Sequence, residues 1–447
     1  MVRSAPASSV CVDALHSDGH PCIRSSLAEV TSTSSPPERS DSAAVSGPPA
    51  EDGARIGVVA LVPDRWRGIW MPRHQVLHRL GRHFEVVWVE AARPWREYWG
   101  LRRRGEEVIQ NVAPDYPGCT VYDSGRWLPE VYRPHWLRNL IRRTRVKVAL
   151  RMLRMKGCSQ IVLYVWRPEF AWALEAFRAD LTCYHIDDEY AFSTAEQQND
   201  PAEIELIRRV DTVFIHSRRL QQKKGGINRN SHYMPNGVDY RAYSAETREP
   251  ADLASIPRPR MGYVGVVKTQ LDLELLCNLA ERRPQWSFVL VGPKGFLGEK
   301  APQLERLSRF ANVYLLGNRP IQQLPAYVQA MDVCMMCYEL TDYTNFIYPL
   351  KLHEYLASGR PVVTTPIDTV IPFGEVVRLA RTPAEWEQAL ADGLAPEANT
   401  PEAVAARRAC AAAHDWDLLV DQIAAQMRAG LGAAGSSNGD SVAGLGS

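Results

Sequence analysis

At 447 residues the chain exceeds one ordinary hydrophobic core, so two domains with tails are expected. Its 45% hydrophobic and 23% charged content is that of a globular protein, and it holds no apolar run of the roughly eighteen residues that span a bilayer. Net charge is only +1, yet residues 55–240 carry thirty Lys+Arg against twenty-one Asp+Glu, a front half suited to an anionic partner or surface.

Residues 1–54, with twelve serines among Pro, Ala and Gly, are expected to be a disordered tail. They are not expected to form a signal peptide, because Asp13 and His16 interrupt the only apolar run. The nine scattered cysteines fit a reducing cytoplasm, where the protein is expected to work.

The first domain, 55–240, opens on the strand "ARIGVVALV" and continues through "EVVWVE", "IVLYVW", "LTCYHI" and "DTVFIHS" with helices between. It closes at "MPNGVD". The second, 241–410, opens on a matching "PRMGYVGVV" and runs through "SFVLVGP", "NVYLLG", "DVCMMCY" and "PVVTT". A helix at 411–430 and a disordered tail at 431–447 follow. The alternation predicts an α/β protein of two Rossmann-like parallel-sheet domains, with a cleft facing the strands' C-terminal ends.

Within the first domain, "RNLIRRTRVKVALRMLRMKG" has eight Lys or Arg and no acid. As a helix it groups Leu137, Leu140, Ile141, Val148, Met152 and Met155 near one face, a pattern that fits either core packing or an anionic membrane surface. Nine of the twelve tryptophans fall between Trp66 and Trp172. Aromatic faces stack on flat ligand rings and anchor at membrane interfaces, and core packing is the default for any one tryptophan. Trp66, Trp70 and Arg73, in the loop after the first strand, are the acceptor-side binding candidates because that loop faces the cleft.

Several chemistries are set aside. The first turn, "PDRWRGIWMPR", lacks the glycines of a dinucleotide fingerprint, and no P-loop occurs. Cys334 and Cys337 form one CxxC, with no second pair and within a buried-strand pattern, so core packing is expected there. No His/Cys cluster suggests a metal, and neither a bound cofactor nor a nucleic-acid partner is expected.

The most informative stretch is "YPLKLHEYLASGRPVVTTPI". Pro349 starts a helix and Gly359 stops it. Leu352, Tyr355 and Leu356 share one face, and Lys351, Glu354 and Ser358 another. A helix N-terminus beside a lysine suits a diphosphate. The alternative is a solvent-exposed Lys–Glu pair worth a few tenths of a kcal/mol.

"PLKLHEYLASGRPVV" resembles the donor-site motif of GT-B glycosyltransferases of the exopolysaccharide and teichuronic-acid type, akin to family 4. The resemblance extends through "GYVGVV", "RPQWSFVLVGP", "LLGNRPIQQLPAYVQAMDVCMMCY", "CYHIDDEYAF" and "MPNGVD". It implies a GT-B fold and transfer of a sugar from a nucleotide-diphosphate sugar to a glycan or polyprenyl-diphosphate-linked acceptor. Lys351 would face the diphosphate and Glu354 the ribose, with Gly265, Lys268 and Arg319 as further donor-binding candidates. The family's E-x7-E pair is broken, because Phe346 stands eight residues before Glu354, and the usual basic phosphate loop is altered after Gly265. On the acceptor side, Asp188 matches the Tyr-x-x-x-Asp spacing from Tyr184, and Asp187 and Asp188 are the catalytic-base candidates. Helix capping is the alternative for both. A nucleotide-sugar 2-epimerase or a non-catalytic nucleotide-sugar sensor would use the same double fold. The basic, tryptophan-rich front domain argues for a second substrate and against the epimerase.

Overall fold

The Val/Ile-rich runs fold as strands buried on both faces, as parallel sheets covered by helices require. The structure, a computed structural model, describes residues 54–97, 118–190 and 200–440. The expected tail at 1–53 and the last residues of the other, 441–447, lie outside the described residues.

The first sheet comprises β1 (Ile56–Leu61), β2 (Glu85–Val89), β3 (Cys119–Tyr122), β4 (Gln160–Val165), β5 (Leu181–Ile186), β6 (Thr212–Ile215) and β7 (Ser231–Tyr233). Its order is β3-β2-β1-β4-β5-β6-β7. The second comprises β8 (Arg260–Val264), β9 (Ser287–Val291), β10 (Val313–Gly317), β11 (Val333–Met336), β12 (Val362–Thr364) and β13 (Arg378–Leu379). Its order is β10-β9-β8-β11-β12-β13. Every strand pairing in both sheets is parallel. Strand order reverses beside β1 and beside β8, and ligands of such sheets bind beyond the carboxyl ends at that reversal. This is the GT-B arrangement of two Rossmann-like domains.

The period-two alternation of strand side chains divides the first domain's core into two layers. Val58, Ala60, Val86 and Trp88 point to one side, where they meet Val76, Leu77 and Leu80 of helix α1 (Pro72–Leu80). Val59, Leu61, Val87 and Leu163 point to the other, packing on Val146, Ala149 and Leu153 of helix α2 (His135–Met155). In the second domain, helix α3 (Leu350–Ser358) buries Leu352, Tyr355 and Leu356, the three residues expected to share its inner face. Cys334 and Cys337 belong to that same core.

Three expectations change. Helix α4 (Trp416–Asp440) begins near the predicted place but runs through the first ten residues of the expected 431–447 tail. It also returns to the first domain: Trp416, Leu419, Val420, Ile423 and Met427 complete the core layer beneath α1. Arg79 pairs with Asp417 at 2.9 Å and Arg82 with Asp421 at 3.1 Å across that contact. In α2 the buried seam is Val146, Ala149 and Leu153, so the grouping of Leu137, Leu140, Ile141, Val148, Met152 and Met155 does not form a single exposed stripe. Val148 and Met152 pack against the core, while Leu140 and Met155 are exposed.

Candidate active site

Loops at the C-terminal ends of both sheets enclose a cleft of about 510 Å³. The first domain contributes Gly68–Pro72 after β1, Asp187 and Asp188 after β5, His216 after β6, and Asn236. The second contributes the turns after β8, β9 and β10, together with the start of α3.

On the second-domain wall, Gly265 and Gly292 end β8 and β9 with φ of 150° and 146°, values that only glycine adopts without strain. A Cβ at Gly292 would strike the Gly265 carbonyl, and one at Gly265 would strike the end of the Lys351 side chain. Two bare backbones therefore approach each other, and Lys351 lies across the first. Its Nζ sits 5.2 Å from the Tyr263 ring centroid. Burial, only partly offset by Glu354, lowers the ammonium's pKa to about 8, and neighbouring Lys268 adds to the fall. Burial likewise raises the Glu354 carboxyl, although Lys351 and the Tyr243 hydroxyl pull it back.

Helix α3 is locked in place at several points. The Tyr355 hydroxyl accepts from Val264 N at 2.8 Å, tying the helix to β8. Gly359 closes it in the left-handed conformation, with φ of 78°. The Arg407 guanidinium donates to the Gly359 carbonyl at 2.9 Å. Ser358, grouped in the sequence with Lys351 and Glu354, is buried and donates to the Tyr355 carbonyl at 2.7 Å. Ahead of the helix, Asn236 donates to the Tyr348 carbonyl at 2.8 Å, so the inter-domain loop itself holds the approach to the helix N-terminus.

The opposite wall carries the two aspartates in different states. Asp187 is bound by Arg73 and accepts from the Tyr190 hydroxyl at 2.5 Å. Burial opposes its charge, but these partners outweigh it and hold the carboxyl below its ordinary range. Asp188 accepts from Glu189 N at 2.8 Å and faces the Tyr343 hydroxyl of the other domain at 3.2 Å. Farther on, the helix Pro201–Arg209 is capped by Asp200.

The structure thus gathers Trp70, Asp187, Asp188, Gly265, Lys268, Arg319, Lys351 and Glu354 around one cleft. Two acceptor-binding candidates lie elsewhere. Trp66 is in the core, its ring 5.2 Å from Trp88, because its backbone N–H is anchored by Glu90. Arg73 is 5% exposed and spans Asp64 and Asp187, so it braces the wall from behind. Arg319 reaches the cleft with its charge engaged by Asp252 at 2.7 Å and its Nε by Tyr327 at 2.8 Å. Asn236, Tyr343 and His216 were missed in the sequence. The signal for His216 was its place directly after "TVFI", at a carboxyl end. Its Nδ1 lies 3.0 Å from the Ile186 carbonyl and must carry the hydrogen in the neutral ring, leaving Nε2 as an acceptor. Burial keeps the ring's pKa low despite the pull of Asp187. Among the described residues, no three His, Cys, Asp or Glu side chains come together as a metal site.

Residues 258–405 match the family model described as Glycosyl transferases group 1. This segment resembles a group 1 glycosyl transferase domain. It contains Gly265, Lys268, Arg319, Lys351 and Glu354, the whole second-domain wall of the cleft. Over 173 residues the chain is 31% identical to a Bacillus subtilis (strain 168) protein named as the teichuronic acid biosynthesis glycosyltransferase TuaH. That stretch is 37% of this chain and 42% of TuaH, so the match spans less than half of the relative. The two sheet domains together are similar in fold to an E. coli trehalose-6-phosphate structure bound with UDP-2-fluoro glucose. There the TM-score is 0.59 at 12% identity, over 82% of this chain and 98% of that one. The Burkholderia multivorans α,α-trehalose 6-phosphate synthase gives 0.59 at 14% identity, over 86% and 98%.

Proposed function

We propose that this chain is a nucleotide-sugar-dependent glycosyltransferase acting on a glycan or polyprenyl-diphosphate-linked acceptor at the cytoplasmic face of a membrane. One observation carries the reading. The N-terminus of α3, Lys351 over Gly265, and Glu354 line one wall of a cleft whose other wall presents Asp188. The unpaired N–H groups of the first helical turn and the Lys351 ammonium suit a diphosphate. Glu354, one turn on, accepts from the ribose hydroxyls.

In the transfer, the acceptor oxygen bonds to the sugar's anomeric carbon as the bond to the diphosphate oxygen breaks. Asp188 takes the acceptor hydroxyl's proton. The charge left on the diphosphate is met by Lys351 and the helix N-terminus, both in place before the reaction. Asp187, already saturated by Arg73 and Tyr190, holds the turn in place. The name of the partial relative supports an acidic surface polysaccharide as the product class, and the basic front domain is consistent with it.

A thermal-shift screen against UDP-, GDP- and ADP-sugars identifies the donor, and nucleoside diphosphate release is then followed with and without acceptor. Release that requires acceptor is the expected result. Donor altered without acceptor would instead indicate an epimerase, and binding with no turnover a sensor; either would refute the proposal.

A further inference from the structure

We propose that the rim of the first domain, from Trp95 through the outer stripe of α2, is a docking surface for an anionic bilayer; this rests on the lipid-linked acceptor proposed above. Because β3 and β4 are parallel, the helix joining them runs opposite to the strands. Its first residues therefore lie at the strands' carboxyl ends, beside the cleft. Large apolar side chains are exposed at that end: Trp95 at 62%, Trp127 at 75%, Trp136 at 67% and Leu140 at 55%. Trp95 and Trp127 follow the adjacent strands β2 and β3, and their loops are joined. The Trp95 indole donates to the Arg126 carbonyl at 3.2 Å, and Glu130 N donates to the Arg93 carbonyl at 2.9 Å. The Glu130 carboxylate then meets Arg142 of α2 at 3.1 Å.

Beyond Trp136 and Leu140 the outer stripe of α2 turns cationic. Arg143, Lys147 and Arg151 succeed one another at helical spacing, all exposed. Between residues 126 and 156 there are ten Lys or Arg and a single acid, Glu130, which is already paired. Indoles at one end and a line of cations with no counter-charge among the described residues suit a bilayer interface, where rings settle among the headgroups and cations meet anionic lipid. The arrangement would bring the cleft to the depth of a lipid-linked sugar.

The test is co-sedimentation of the full chain with phosphatidylcholine vesicles, plain or containing one third phosphatidylglycerol, and no donor or acceptor. Binding to the anionic vesicles is expected to be at least about tenfold stronger. It should fade as added salt shortens the screening length from about 10 Å towards 3 Å. The exposed-site variant Arg143→Glu/Lys147→Glu/Arg151→Glu should lose the anionic preference. Trp127→Ala/Trp136→Ala should release protein that stays bound in the parent at intermediate salt. Both variants should keep the parent's thermal midpoint. Negligible binding to both vesicle types, or parental binding by both variants, overturns the inference. So does binding to a soluble acidic polysaccharide without binding to vesicles, which would assign the face to the glycan chain. Failure here leaves the transfer chemistry untouched, whereas vesicle binding without any turnover refutes only the transfer reading.

Discussion

Lys351 offers a quantitative test of the donor site. With the ammonium's pKa near 8, about nine-tenths of free enzyme carries the charge at pH 7 and about one-tenth at pH 9. The nucleoside diphosphate is fully ionised across this range, its last phosphate proton being lost near pH 6. If only the charged lysine holds the diphosphate, affinity falls as pH rises through 8. The expected loss between pH 7 and 9 is about tenfold, or roughly 1.4 kcal/mol. Linkage supplies a second readout: at pH 8 the half-protonated lysine should take up about half a proton per ligand bound. Titration calorimetry in buffers of different ionisation enthalpy measures both. Lys351→Met should weaken binding by about 1.5–3 kcal/mol and leave a smaller pH dependence with correspondingly smaller proton uptake. Affinity that is flat from pH 7 to 9.5, or a pH profile unchanged in Lys351→Met, would place the diphosphate elsewhere.

Other outcomes follow from the same geometry. Asp188→Asn should lose about 10²–10⁴ in turnover while retaining donor affinity, with Asp187→Asn chiefly lowering the thermal midpoint; steady-state rates and melting curves separate the two. Gly265→Ala should match Lys351→Met in donor affinity, because its Cβ occupies the path of the lysine and its φ of 150° is strained; calorimetry should find parental binding only if the loop moves aside. Lys224, buried between Glu189 at 3.0 Å and Glu203 at 2.7 Å, holds the segment behind Asp188. Lys224→Met should cost about 3–5 kcal/mol in urea unfolding, since it leaves the Glu203 carboxylate buried without its cation, while Glu189 keeps Lys223 at 3.0 Å.

Most strands were legible because a parallel sheet buried on both faces writes long apolar runs such as "IVLYV" and "RMGYV". The strands missed were three short ones that do not: Cys119–Tyr122 is four residues with a polar Thr120 in the middle, Ser231–Tyr233 is three half-buried residues, and Arg378–Leu379 is exposed. The second-domain wall of the cleft was legible from the charged stripe on an otherwise apolar helix and from Gly265 after β8. The other wall was not, because its state depends on residues distant in the chain. Nothing local to Arg73 reveals Asp187, which lies 114 positions away. Trp66 looked available because its loop faces the cleft, but Glu90 draws its backbone inward towards Trp88. The docking of α4 on α1 was equally hidden, since its apolar residues do not name the partner they cover.

That docking gives the molecule an unusual pedigree as a unit of exchange. The first domain's core is assembled from residues 56–234 and again from 416–431, so the second domain sits within it like an inserted cassette. Both passages of chain run side by side: Val238 N donates to the His414 carbonyl at 3.0 Å and Trp416 N to the Val238 carbonyl at 2.9 Å. Gly237 has no room for a side chain there, against the His414 carbonyl and the Leu419 and Trp416 side chains. A chimaera cut once near residue 240 would set a foreign sheet against a native α4 shaped for other side chains. Cutting at both passages would lift out the whole second domain, leaving a first domain that keeps both of its own passages and loses only the packing of Phe346 and Leu350. Grafting between relatives, whether by an engineer or by recombination, should therefore succeed with two seams where one fails.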